Sequence, residues 1–167
     1  MIRGHPEVPM PPILRSALLL GVAVVAWTFV MGATGWYKHP TLLFLFWLVI
    51  PLQIALLVWT LRGTAAEQGY GRQVWLGTGV SLLASVLIYG GSLLFTTVVF
   101  PDYFKELEAL GRQMMAQKGL SPAQIEAAIQ AQAPMQTPRA SAMAGAIGTV
   151  VTGLLTSLIA AAFLRRK

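Results

Sequence analysis

The sequence predicts an all-α integral membrane protein, a four-helix bundle with a short amphipathic helical hairpin between its third and fourth transmembrane helices. Three observations predict this. Of the 167 residues, 56% are hydrophobic and only 11% charged, against about 25% charged in a soluble domain, so the chain lacks the charge to coat a water-facing surface all round. Second, four stretches, 16–36, 41–61, 74–100 and 141–164, contain no Asp, Glu, Lys, Arg or His. Third, as helices they would reach roughly 31 to 40 Å, enough for a hydrocarbon core of about 30 Å. The whole chain, 1–167, reads as a single membrane domain.

The first span is rich in Leu and Val: Leu18, Leu19, Leu20, Val22, Val24 and Val25 each favour insertion by about 0.3 to 0.6 kcal/mol. It follows Arg3 and Arg15, as a signal peptide would, but a signal's apolar run is only about 7 to 15 residues long, and Met31-Gly32-Ala33 is a poor cleavage site. A retained helix is expected, closed by Trp36 and Tyr37.

The second span carries Pro51 and, two residues on, Gln53, its most polar side chain. Proline removes one backbone bond and kinks a helix, and the freed carbonyl needs a partner in lipid. Gln53 is a candidate for that partner. In the third span Tyr89 precedes Gly90-Gly91, a candidate second break. Broken helices line transporter sites, so Pro51, Gln53, Tyr89, Gly90 and Gly91 form the candidate polar pocket, with close packing around a kink as the plainer reading.

Residues 101–140 read as the hairpin. Pro101 and Asp102 suit a helix start. Tyr103, Leu107, Leu110 and Met114 recur at helical spacing. Gly119 suits a helix stop. Ser121, Pro122 and Gln124 supply an N-cap, an N1 proline and a capping-box partner for a second helix, which Pro134 and Pro138 end. The pair would lie on the membrane surface or fold over the bundle mouth. In the spans on either side, small residues recur every four positions: Gly77, Ser81 and Ser85, then Gly145, Thr149, Gly153 and Ser157. That spacing lets helix backbones approach closely, so either the third and fourth spans pack together or one of these faces makes a homo-oligomer.

With the N-terminus inside, the inner segments hold Arg3, Arg15, Arg62, Arg72, Arg165, Arg166 and Lys167, and the outer ones Lys38, Lys105, Arg112, Lys118 and Arg139. The denser basic flanks favour cytoplasmic termini. The net charge of +6 therefore points to anionic lipid headgroups. Nucleic acid is excluded as a partner, because no soluble segment carries a basic stripe with interleaved aromatics.

Little here points to chemistry. No ionisable residue lies within a span, and such residues are the default mark of a membrane site. The absence of cysteine excludes disulfides and thiolate chemistry. His5 and His39 are single and on opposite sides in this topology. Asp102, Glu106 and Glu108 sit at a helix start, where the dipole favours acids. The glycines around Arg72 lack the strand and the lysine of a phosphate loop. No cofactor, metal or catalytic group is expected.

Four segments carry a family resemblance: Tyr70-Gly71-Arg72 entering the third span, Val99-Phe100-Pro101-Asp102-Tyr103 leaving it, Gly119-Leu120-Ser121-Pro122-Ala123-Gln124-Ile125-Glu126 in the hairpin, and Leu164-Arg165-Arg166-Lys167. With the four-span layout, these residues make the chain resemble the bacterial family called domain of unknown function 4199. The resemblance implies a four-helix bacterial inner-membrane protein and no activity. The functional expectation is a non-enzymatic membrane protein acting through helix–helix or partner contacts, as a subunit, scaffold or accessory factor. The alternative is a small transporter or channel component with a midplane site near Pro51 and Gly90-Gly91.

Overall fold

The computed structural model describes residues 12–65 and 68–164. Six α-helices follow one another: α1 (Pro12–Ala33), α2 (Val49–Thr64), α3 (Tyr70–Leu94), α4 (Tyr103–Gln117), α5 (Pro122–Gln132) and α6 (Pro138–Leu164). No strand occurs among the described residues. Two irregular segments extend the spans. A 3₁₀ stretch, Leu42–Leu48, leads into α2, and a π turn, Phe95–Val99, ends α3. The membrane spans are thus Pro12–Ala33, Leu42–Thr64, Tyr70–Val99 and Pro138–Leu164, of 22, 23, 30 and 27 residues. All are long and apolar enough to cross a bilayer, and the protein is an all-α membrane protein.

Several ends differ from the expected boundaries. The first span stops at Ala33, and Trp36–Lys38 forms a separate 3₁₀ turn after Gly35, whose φ of 68° breaks the helix. The third span begins at Tyr70 and the fourth at Pro138. The latter shift has a local cause. Thr137 Oγ1 accepts from the Ala140 amide at 3.2 Å, so Thr137 caps α6 and Pro138 opens it at N1 rather than ending the hairpin.

Packing runs in the ring order α1, α3, α6, α2, with α3 against α6 the most extensive contact and α1 against α3 the next. The α3–α6 pair is antiparallel. A Cβ added at Gly77 would meet Ser157, and one added at Gly153 would meet Ser81, so each glycine receives the serine opposite. Each serine hydroxyl donates to a carbonyl of its own helix, Ser81 to Gly77 O at 3.1 Å and Ser157 to Gly153 O at 2.6 Å. That bond satisfies the hydroxyl without a partner helix, so the seam can close to near backbone contact. On the other side α1 and α3 run parallel. Gly91 lies where Val25 of α1 approaches, with Val25 Cγ1 2.9 Å from an added Cβ.

The hairpin is capped as its residues suggest. Gly119 has φ 80°. The Leu120 amide donates to Met115 O at 3.2 Å and the Gly119 amide to Ala116 O at 3.0 Å, the paired bonds of a Schellman stop. Ser121 and Gln124 complete a capping box on α5, with Ser121 N–H donating to Gln124 Oε1 at 2.9 Å.

Candidate functional site: a chamber and its vestibule

In the half of the bundle away from the hairpin, the glycine–serine seam closes α3 on α6, and in the half next to the hairpin it does not. There, a chamber of about 260 Å³ opens between all four spans, lined by Val24 and Thr28 of α1, Phe46 and Val49 of the second span, Ile88, Ser92, Phe95 and Thr96 of the third, and Ser141, Gly145 and Thr149 of α6. Tyr103, the first residue of α4, covers it.

Both irregular segments border this chamber. Irregular backbone at membrane depth is tolerated where it is buried in protein or lines a cavity. Before Pro51, which cannot donate to the carbonyl four residues back, the second span winds as 3₁₀. The Trp27 indole donates to Leu45 O at 3.0 Å, supplying a partner for that stretch. At the end of the third span Thr96 and Thr97 donate to Ser92 O and Leu93 O at 2.8 and 2.7 Å. The Phe100 amide reaches Phe95 O at 2.8 Å, the wider spacing of a π turn, and Pro101 then ends the helix.

Three chamber hydroxyls share one geometry. Thr28 donates to Val24 O at 3.0 Å, Thr96 to Ser92 O at 2.8 Å and Thr149 to Gly145 O at 2.9 Å. A hydroxyl has one proton and two acceptor lone pairs. With the protons committed to the helices, these three groups can offer the chamber only acceptors. Below them Gln53, 2% exposed, donates through Nε2 to Thr149 O at 2.6 Å and fixes the second span against α6.

Above Tyr103 lies a vestibule of about 380 Å³, walled by Gly32–Gly35 and Tyr37–Lys38 on one side and by Val99–Tyr103 and Glu106 on the other. Tyr37 is buried. Its hydroxyl donates to Glu106 Oε2, and Lys38 Nζ lies 2.7 Å from Glu106 Oε1. Burial, then Glu106, raises the Tyr37 hydroxyl above its ordinary range. Burial, then Tyr37, pushes Tyr103 up to about 12. The Lys38 and Tyr37 hydrogen bonds hold Glu106 below the usual carboxylate range. Rings of Tyr37, Phe95, Phe100 and Tyr103 pack with centroids 4.7 to 6.5 Å apart. This cluster seats the root of the hairpin on the bundle mouth.

None of the five residues of the predicted pocket lines the chamber. Pro51 is exposed. Gln53 does not serve the second span's own backbone but crosses to α6. Gly90-Gly91 does not break α3, which runs unbroken to Leu94. Gly91 instead packs against Val25, and Gly90 has nothing within 4 Å of an added Cβ. Of the small-residue positions, Gly77, Ser81, Gly153 and Ser157 meet across the α3–α6 seam. Ser85 donates to Leu82 O at 2.7 Å. Thr149 and Gly145 line the chamber. Among the described residues no group of three or more His, Asp or Glu could hold a metal. Asp102 pairs with Lys105 at 3.0 Å. The chamber itself was missed. Its signal in the sequence was the threonines Thr28, Thr96 and Thr149, dispersed over three spans and individually ordinary.

A family model described as "Protein of unknown function (DUF4199)" matches residues 15–166, which takes in the first two spans as well as the hairpin and the last span. No curated protein and no solved structure matches the chain.

Proposed function

Since the chain belongs to the DUF4199 family, whose description assigns no activity, we propose its role from its own architecture: a non-enzymatic membrane protein that acts through helix–helix or partner contacts, as a subunit, scaffold or accessory factor. The hairpin carries this reading. Arg112 bridges Glu108 and Glu126 at 2.9 Å each, and Leu110 and Ile129 are buried, so α4 and α5 brace one another. The attachment to the bundle is concentrated at the root, through Tyr37, Lys38, Tyr103 and Glu106. A self-braced arm, fixed at one end and with α5 mostly exposed, suits a surface that meets another protein.

The basic flanks support placement in a bacterial inner membrane with both termini cytoplasmic and the hairpin outside. Because the chain has no cysteine, a single cysteine at Lys118 reports this directly: an impermeant maleimide labels it in cells whose outer membrane alone is permeabilised.

Cross-linking in native membranes, followed by affinity capture through a C-terminal tag and mass spectrometry, tests the role. The expected result is a stoichiometric membrane-protein partner whose cross-links map to α4 and α5. Solute flux by the purified protein alone in liposomes overturns this reading in favour of a small transporter.

A further inference from the structure

The chamber beside the hairpin root has a chemistry of its own. No ionisable side chain lines it apart from the phenol of Tyr103 at its cover. Charge is therefore disfavoured by cost, since an ion in this setting finds no counter-ion in the wall. Its remaining wall is mixed, with aliphatic and aromatic side chains beside hydroxyls. The protons of Thr28, Thr96 and Thr149 are committed to Val24 O, Ser92 O and Gly145 O, so toward an occupant these three hydroxyls can only accept, beside the hydroxyls of Ser92 and Ser141 in the same wall. The chamber is also accessible: Gly145 in its α6 wall is exposed, with nothing within 4 Å of an added Cβ.

We propose that this chamber is a binding site for a small uncharged amphipath, a molecule with an apolar body and an O–H or N–H donor that bonds to the threonine hydroxyls. An acyl chain would fill the volume but leave the acceptors unused. An ammonium would use the acceptors but find no carboxylate in the wall. A neutral donor on an apolar body satisfies both parts of the lining. Occupancy is a property of the single chain and does not depend on a protein partner.

The test uses the full chain in dodecyl maltoside micelles and ¹⁹F NMR of three probes: 4-fluorophenol, which has the donor, 4-fluoroanisole, which has the same body without it, and 4-fluorobenzylammonium, which is charged. The expected result is saturable binding of 4-fluorophenol beyond that of empty micelles. Binding of 4-fluoroanisole should be about two- to ten-fold weaker, the worth of one hydrogen bond, and the ammonium should bind more weakly than the phenol. Gly145→Leu projects into the chamber from a position with open space and should abolish phenol binding while far-UV circular dichroism stays at the parent value. Ser141→Leu fills the same chamber from the preceding turn of α6 and should do the same. The probe comparison on the parent chain decides without the variants. Absence of saturable phenol binding, equal affinity for phenol and anisole, or tighter binding of the ammonium overturns the proposal. So does unchanged phenol binding in either variant with parental helicity.

Discussion

Substituting Gly77 by Ala tests the α3–α6 seam. An alanine Cβ at this position would lie 2.9 Å from Ser157 Cβ and closer still to its Oγ. Non-bonded carbons settle at about 3.5 to 4.0 Å, so the helices must part or Ser157 must leave its rotamer and its bond to Gly153 O. Overpacking of this kind costs about 1 to 3 kcal/mol. Against it stands the helix propensity of Ala over Gly, about 1 kcal/mol. Gly79, two residues along the same helix, isolates the two effects, because nothing lies within 4 Å of a Cβ added there. Gly79→Ala should be neutral or stabilising by up to about 1 kcal/mol. The difference between the two variants, about 1 to 3 kcal/mol, is then the clash alone. Reversible unfolding in mixed dodecyl maltoside and dodecyl sulfate micelles measures it. Ser157→Gly removes the colliding atoms, so the pair Gly77→Ala with Ser157→Gly should recover most of that difference as a coupling energy in a double-mutant cycle. Gly77→Ala and Gly79→Ala agreeing within about 0.5 kcal/mol, or a cycle that is additive within the same margin, would refute the seam.

Gln53→Leu keeps volume but removes the bond to Thr149 O. It should cost about 0.6 kcal/mol and at most about 1.7, the range of interhelical bonds in membranes, in the same unfolding assay. Glu106 is held below its ordinary range by Lys38 and Tyr37, so its ionised form favours the docked hairpin. Docking should be intact at neutral pH and down to the ordinary carboxyl value of about 4.3, and weaken as pH falls below that, through the lowered value. A spin-label distance between α4 and the turn at Trp36–Lys38 follows this, and Glu106→Gln should lengthen it already at pH 7. Ser121→Ala removes the α5 cap and should destabilise that helix by about 1 kcal/mol, read as faster amide exchange confined to α5.

The spans were legible because each contains a long apolar run without a charged side chain, with Arg15, Arg62, Arg72 and Arg139 confined to the end turns of the helices. The hairpin was legible because its stops are local: Gly119, Ser121, Pro122 and Gln124 each act on their own few backbone groups. The beginning of α6 was misplaced for an equally local reason, because Thr137-Pro138 can be read as the end of one helix or the cap of the next, and the chain between Gln132 and Thr137 is too short to mark the difference. The expected break at Gly90-Gly91 is absent for a reason of a different kind. Proline and paired glycine signal where a helix departs from regularity, but not what its neighbours do there. Gly91 is small because Val25 fills the space, and Gln53 turns inward because Thr149 O lies within reach on α6. Both facts belong to the ring order of the helices, and no single span contains that order.

The position of the chamber follows from how the bundle divides its length. Away from the hairpin, glycine and serine alternate across α3 and α6 so that each projection finds a gap and the two helices close on one another. Gly145 continues the same four-residue spacing toward the hairpin, but no side chain fills the place opposite it. Next to that level the second span is wound as 3₁₀, so it changes its helical phase relative to a regular α-helix, whereas α3 stays regular to Leu94. A regular four-residue stripe on α6 cannot keep register with a neighbour whose residues per turn have changed. The seam therefore opens where the irregular winding begins, and threonines, whose hydroxyls can satisfy themselves on their own helices, are the residues that tolerate lining the gap. The π turn of the third span, whose Phe95 and Thr96 line the chamber, holds its hairpin end apart: deleting Val98 to remove the extra residue of that turn should shrink the chamber, at the expense of the Tyr103 cover and the hairpin root it anchors.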